Sequence, residues 1–344
     1  MRFLLDTEQR DFAASLDALL SAADVPAAVR ARGAGDPAPV RELWRRLGES
    51  GVFALAVPEE YEGVGLLPVE LAVACIELGR HAVPGPLAET FAASALLGRL
   101  GGEPAEYWLP QAATGTALLT LAATEVSPYA ADADLADLRL LLTPDELRLP
   151  DADLSQPTLD PARRLSRPTD GKPIASGAPL AACADHAVQV AALATAALAL
   201  GTGRRLLSAT VDHANTRVQF GTPIGGFQAV KHRLADVLLQ LEFAEPLLYA
   251  AAVALHAGEP SSGAEVAAAK AACSEAGYSA ARAALQLHGA IGFTDEFDLS
   301  LWIRRARVLR SAWGSPSACR LRVLAAEHHD LETPAAVGAP ARRE

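Results

Sequence analysis

The sequence has few of the residues that build metal, disulfide or phosphate-loop sites. Its 344 residues include four cysteines without a Cys-x-x-Cys pair, and eight histidines without a His-x-x-x-His or Glu-x-x-His cluster. These spacings argue against a disulfide framework and the usual zinc motifs, so we predict no metal site. The Gly-x-x-x-x-Gly-Lys loop, the Gly-x-Ser-x-Gly turn and the Rossmann glycine fingerprint are also missing. The nucleotide and hydrolase sites that these motifs mark are therefore not expected.

Charge and hydropathy narrow the class of protein further. The net charge is −11, from 30 basic and 41 acidic residues, which argues against nucleic-acid binding. At 51% hydrophobic and 21% charged residues, the chain is globular with a large core. The start turns acidic too soon for a signal peptide, and the apolar run around 188–200 is too short to span a bilayer. We expect a cytoplasmic protein without membrane contact.

The spacing of apolar residues predicts a mainly α fold with a β insertion. Helical spacing dominates from Asp6 to about Leu100, and short apolar runs at 117–122 and 138–142 indicate strands. Four long helical segments then predict a four-helix bundle; they span 185–216, 227–257, 264–286 and 299–329, the last broken at Gly314.

Changes in composition divide the chain into four predicted parts. These are an N-terminal helical domain at 1–115, a short middle β domain at 116–176, a C-terminal helical bundle at 177–330, and a disordered tail at 331–344 rich in Pro, Ala and Arg.

Two motifs lie between the long helices of the last part. An Arg-x-Gln-Phe-Gly motif starts at Arg217 and leads to Phe227 and Gln228, and a Gln-Leu-His-Gly-Ala motif runs from Gln286 to Ala290. Arginine makes bidentate phosphate contacts, and glycine lets the backbone approach a phosphate at a helix end. Considered singly, Arg217 is equally explained as a helix C-terminal cation and Phe227 as a core residue.

Together these motifs resemble those of the acyl-CoA dehydrogenase family, over nearly the whole chain. In that family two subunits share each FAD. The resemblance implies that Arg217 pairs with the flavin pyrophosphate and that Gln219, Phe227 and Gln228 line the cofactor. The segment that reaches the FAD of the neighbouring subunit comprises Gln286, Leu287, His288, Gly289 and Ala290, with Ala290 in place of a usual glycine.

The resemblance also implies a carboxylate base that removes the proton alpha to an acyl-CoA thioester while the beta hydrogen leaves as hydride. One family position for this base aligns with Trp313 and Gly314, which carry no carboxylate and are predicted to contact substrate. The other, eleven residues before Gln286, is Glu275, our predicted base. A Glu on an Ala-rich helix is also explained as a solvated residue or as an ion pair with Lys270 or Arg282.

Three departures from the family pattern leave the role of the chain open. The middle β domain is short, and the flavin-ring loop is reduced to 124–130, where Ser127 is a partial substitute. The usual CoA-contacting Asp/Arg pair aligns with Gln189 and Ala192. The first hypothesis is a FAD-dependent dehydrogenase with Glu275 as base, acting on acyl-CoA and passing electrons to an electron-transfer flavoprotein.

Two further hypotheses fit the same residues. In one, the chain is a non-catalytic partner subunit that completes the FAD site of a paralogous chain, as in bacterial two-chain enzymes of steroid side-chain breakdown. In the other, the fold and FAD are kept but the reaction is an oxygen-using oxidation or hydroxylation. We expect either a homo-oligomer or a hetero-oligomer.

Overall fold

Helices α1 to α6 build the first part of the chain in the computed structural model, which describes residues 4–151 and 154–332. Their bounds are Thr7–Ser21, Val25–Gly33, Ala38–Glu49, Pro68–Arg80, Leu87–Leu100 and Gly102–Ala113. α1 begins at a capping box, because the Asp6 carboxylate accepts the Gln9 N–H while the Gln9 side chain accepts the Asp6 N–H. α5 is buried from Leu87 to Leu97, as its nearly continuous small and apolar sequence predicts.

Two small sheets follow the helices. Strands β1 to β7 span Leu119–Ala123, Ala130–Ala131, Leu138–Leu142, Glu146–Leu149, Gln156–Pro157, Arg164–Ser166 and Lys172–Ser176. One sheet has the order β1-β3-β4-β7, with β1 parallel to β3 and Leu119 opposite Leu138; the other has the order β2-β6-β5. β1 and most of β3 are buried, which explains why their sequences are apolar runs without alternation. The strands predicted at 117–122 and 138–142 correspond to β1 and β3.

Five helices make up the last part of the described chain. α7 to α11 span Ala178–Thr216, Gln228–Ala257, Ser262–His288, Leu299–Leu309 and Pro316–Glu332, and a hairpin of β8 (Val218–Gln219) and β9 (Thr222–Pro223) joins α7 to α8. The predicted break at Gly314 separates α10 from α11. The predicted mainly α fold with a sheet between two helical parts is confirmed. The domain boundaries at 115, 176 and 330 stay predictions.

The predicted disordered tail begins inside the described chain. Leu331 and Glu332 belong to α11, and 333–344 lie outside the described residues.

α7 is the central helix of the fold and contacts α4, α5 and α9. Glycines permit backbone-to-backbone packing at two of these crossings. A Cβ at Gly201 would overlap the Ile76 carbonyl oxygen of α4, and one at Gly277 of α9 would overlap the Ala199 carbonyl oxygen of α7. These contacts fix how α7 lies against its neighbours.

Two described helices, α7 and α8, are long and apolar enough to cross a membrane by length and composition. The run at 188–200, too short by itself, is thus the centre of a 39-residue helix. For α7 the protein interior accounts for this apolarity, since 89% of its most apolar 18-residue stretch is buried; for α8 the share is 44%. α8 leaves an apolar face outside, formed by Leu238, Leu239, Phe243 and Leu247.

Candidate functional site

The Arg217 motif projects from the end of α7 into solvent. The Arg217 N–H donates to the His213 carbonyl, and the β8–β9 hairpin turns at Phe220, which has φ 53° and is 93% exposed. Arg217 and Gln219 are exposed, and among the side chains described at 4–151 and 154–326 no carboxylate forms an ion pair with Arg217. This guanidinium is therefore available to an anion from outside the subunit.

α8 begins directly after this hairpin. Phe227 is its N-cap residue, packs edge-on against Phe220 at 6.2 Å between ring centroids, and Gln228 is the first helical residue. The first N–H groups of a 30-residue helix thus lie next to the Arg217 segment. A helix N-terminus beside an unpaired arginine suits a phosphate group.

The second motif ends α9 and reaches the same end of the bundle. Gln286, Gly289 and Ala290 are exposed, Leu287 is half-buried, and Gly289 turns the chain with φ 67°. His288 is 8% exposed and stacks on His213 with 4.1 Å between ring centroids. Its side chain therefore joins the two motifs from inside. Burial lowers the pKa of both imidazoles, and for His213 the neighbouring His288 adds to this.

A groove lies far from these motifs, between α7, α9 and α11. It encloses about 350 Å³, and α7 contributes Gln189 and Ala192 to its wall. Trp313 and Gly314, predicted as substrate residues, line it. The Gln189 side chain donates to Asp185 (2.6 Å) and accepts from the Ser262 hydroxyl (2.9 Å). The position that aligns with the family's Asp/Arg pair thus carries a neutral amide that is already hydrogen-bonded.

Two side chains, Glu89 and Lys270, hold the turn between α10 and α11 that contains Trp313. Trp313 is 2% exposed with φ 52°, and its indole N–H donates to the Glu89 carboxylate of α5 at 3.0 Å. On the other side, the buried Lys270 ammonium donates to the carbonyls of Leu309 (3.1 Å) and Gly314 (3.0 Å). Burial lowers the pKa of Lys270 to about 8. No motif in the sequence points to Glu89, and Lys270 was predicted only as an ion-pair partner of Glu275.

Glu275 lies outside the groove. Its side chain is 41% exposed and forms ion pairs with Arg310 (3.8 Å) and with Arg320 of α11. Eight residues separate it from Ala267, which lines the groove, so it lies about 12 Å further along α9. The predicted alternative of an ion-paired residue describes this environment, although its partners are not Lys270 or Arg282. The role of Glu275 as base stays a prediction.

A second cavity adjoins the groove. It encloses about 510 Å³ between the turn at 126–129 and the end of α10, and Val126 and Ser311 line both spaces. Ser127, noted in the sequence as a partial substitute in the flavin-ring loop, lines this cavity together with Arg163 and Arg307. Two molecules lying in the cavity and the groove would meet at Val126 and Ser311.

The exposed motifs lie far from the groove within one chain. About 25 residues of α7 separate Ala192 from Arg217, which corresponds to roughly 37 Å along the helix. Along α9, Ala267 and Gln286 are about 28 Å apart. The structure therefore brings the two predicted cofactor segments together with each other and separates them from the cavity and groove.

A cluster of Asp17, Glu77 and His81 lies on the far side of the N-terminal helices, within 4.8 Å of one another. Arg80 forms ion pairs with both carboxylates, and the His81 ring hydrogen-bonds Asp17. These contacts explain the cluster without a metal ion.

Comparison with known proteins identifies the family of the chain. Models of the acyl-CoA dehydrogenase N-terminal and C-terminal domain families match residues 6–116 and 181–327. Acyl-CoA dehydrogenase IpdE2 of Mycobacterium tuberculosis is 38% identical over 289 residues, covering 82% of this chain and 85% of the relative. The IpdE2 of Mycolicibacterium smegmatis is 34% identical over 306 residues, covering 88% and 93%.

Solved structures show the same fold. A chain of the Tcur3481-Tcur3483 steroid ACAD superimposes with a TM-score of 0.85 at 24% identity, covering 95% of this chain and 99% of that chain. A chain of the ChsE4-ChsE5 complex from Mycobacterium tuberculosis superimposes with a TM-score of 0.81 at 24% identity, covering 97% and 100%.

Proposed function

Because the chain belongs to the acyl-CoA dehydrogenase family of FAD-dependent oxidoreductases, we propose that it is one subunit of a two-chain acyl-CoA dehydrogenase. In this assembly the chain lends its exposed motifs to the FAD of a paralogous subunit. The assembly introduces an alpha,beta double bond into an acyl-CoA thioester.

The separation of the exposed motifs from the cavity carries this proposal. Arg217 and the N-terminus of α8 offer positive charge and free N–H groups to a pyrophosphate, and no Cβ obstructs the backbone at Gly289. The residues present thus fit the phosphate part of FAD. We assign the ring-binding part to another chain, because the exposed motifs lie roughly 28–37 Å along α9 and α7 from this chain's own groove. FAD, when bound, accepts the hydride from the acyl group.

The groove lacks a well-placed base in this chain. Among the described residues that line the groove, Glu125 is the one with a carboxylate. Its side chain is exposed in the turn after β1. Glu275 lies outside the groove and is held by two arginines. We therefore favour the partner-subunit hypothesis, in which the paralogous chain provides the base and the working active site.

The two-chain relatives and the exposed face of α8 support an assembly with a second, different chain. The similar structures include the ChsE4-ChsE5 complex, named for two different chains. The exposed apolar face of α8 defined above gives a partner subunit a large surface to cover. The name of the Tcur3481-Tcur3483 steroid ACAD favours a steroid-derived acyl-CoA as the substrate of the assembly. Electron-transfer flavoprotein is the proposed acceptor.

The test is purification of the chain alone and after coexpression with a paralogous acyl-CoA dehydrogenase chain from the same genome. We expect a colourless chain alone, and a yellow complex that oxidises acyl-CoA with a dye acceptor. An Arg217→Met change should remove flavin from the complex, while Arg99→Met, at an exposed position on α5, should not. A fully yellow, active homo-oligomer would reject the proposal. Hydrogen peroxide formation without an added acceptor would instead indicate an oxygen-using reaction.

A further inference from the structure

Trp313 separates two spaces that follow one another along α7. Val188 and Ala192 line the groove, and the next two turns of the helix place Thr195 and Leu198 in a small cavity of about 40 Å³. These positions recur every three or four residues, so they form one stripe of the helix. Trp313 lines both spaces. Trp313 therefore interrupts the space along this stripe, and the small cavity beyond it is also lined by charged side chains, among them Glu89, Arg163 and Arg305.

The backbone at this interruption is strained. Trp313 has φ 52°, a left-handed conformation that is unusual for a bulky residue, and Gly314 follows with φ 117°. Such strain persists only where the surroundings enforce it, and it concentrates at functional sites. Connecting α10 to α11 does not by itself require a tryptophan at this position.

Buried charged side chains enforce this conformation from both sides. Glu89 accepts the indole N–H and lies 3.5 Å from Arg163 of the β region. Lys270 has three hydrogen-bond partners within 3.1 Å, two of them carbonyls of the turn. Burying charge is costly unless it is fully paired, so these residues fix one ring at considerable cost.

We propose that Trp313 is a specificity-determining residue that ends the acyl-binding part of this chain's groove, with Glu89 and Lys270 as positioning residues. This rests on the proposed function, because it treats the groove as an acyl-CoA site. The groove then admits CoA thioesters of short acyl groups only. A bulky acyl group is bound in the groove of the paralogous subunit.

The test uses the purified two-chain complex with variants in this chain only, so that any difference arises from this groove. Acetyl-, butyryl-, hexanoyl- and octanoyl-CoA are titrated calorimetrically against the wild type, Trp313→Ala and the milder Trp313→Leu. We expect affinity at this groove to stop rising at a short acyl length in the wild type. In the variants it should keep rising, roughly threefold to fourfold for each methylene that enters the space left by the indole ring.

Matched variants distinguish a role in limiting acyl length from a general loss of structure. Trp302→Leu removes another buried indole, whose N–H donates to the Arg80 carbonyl away from the groove, and should keep the wild-type length profile. Glu89→Ala should lengthen the accepted chain, and Glu89→Gln, which still accepts the indole N–H, should restore the cut-off.

Two adverse outcomes are distinguishable. Two acyl-CoA sites per pair of chains, with parallel length profiles for the wild type and Trp313→Leu, would contradict the role of Trp313 in limiting acyl length. The groove would remain an acyl-CoA site. One acyl-CoA site per pair of chains in every variant would show that this groove binds no thioester. That result would contradict both the role of Trp313 and the identification of the groove as an acyl-CoA site.

Discussion

The imidazole rings of His213 and His288 stack at 4.1 Å inside the protein and connect the end of α7 to the end of α9. His288 also hydrogen-bonds the Ala284 carbonyl through Nδ1 at 2.9 Å. The residue that the family pattern places at the cofactor is thus directed inward, where it positions the segments that carry Arg217 and Gln286.

Replacing His288 should weaken flavin binding without unfolding the chain. His288→Ala removes the stack that holds the two segments in register, and we expect FAD affinity of the complex to fall about tenfold, equivalent to about 1.4 kcal/mol. His288→Phe keeps a flat ring and should retain most of the affinity. Flavin release measured by fluorescence decides this, and equal affinity for both variants would contradict a positioning role.

Acid should destabilise the fold partly through His186. Burial lowers the pKa of His186 to about 4 from an ordinary 6.5. Between pH 6.5 and 4 the unfolded chain therefore binds a proton that the folded chain does not, so stability falls as the pH falls. His186→Gln should remove on the order of 2 kcal/mol of this loss in urea unfolding at pH 4 relative to pH 7. His256→Gln, at an exposed position of α8, is the control for removing an imidazole elsewhere.

Removing the carboxylate of Glu275 should leave turnover nearly intact. Its contacts are half-exposed ion pairs to Arg310 and Arg320, which contribute about 0–1 kcal/mol to stability. We expect kcat of the complex with Glu275→Gln to stay within about twofold of the wild type, as with Arg320→Gln. A large loss of kcat with flavin still bound, in Glu275→Gln alone, would restore Glu275 as the base.

Arg305 should be essential for stability, unlike its neighbour Arg304. Arg305 donates to the buried Asp160 carboxylate at 2.7 Å and to the Val83 carbonyl, so it ties α10 to the β region and to the N-terminal helices. Arg305→Met leaves Asp160 buried without its partner, at an expected cost of about 3–5 kcal/mol in the free energy of unfolding. Arg304 pairs with exposed Asp295, and Arg304→Met should cost less than about 1 kcal/mol.

Local sequence patterns predicted the helices and the two main strands because apolar periodicity is a local signal. The environment of the candidate site was not predictable in the same way. Glu89 and Trp313 lie 224 positions apart in sequence, and Glu275 meets Arg320 only because α11 folds back on α9. Such pairs follow from helix packing, which apolar periodicity does not specify.

The inward direction of His288 was missed for a related reason. The motif fixes which residues reach the helix end, but whether an imidazole faces solvent or another ring depends on His213, 75 positions earlier in the chain.

α7 is a single rod of 39 residues that lines the acyl groove with its first half and presents Arg217 at its far end. Close packing at Gly201 leaves it little freedom to bend. In the proposed assembly the groove of this chain and the flavin site of the neighbouring subunit are thus built on one helix, so the position of α7 sets the geometry of both.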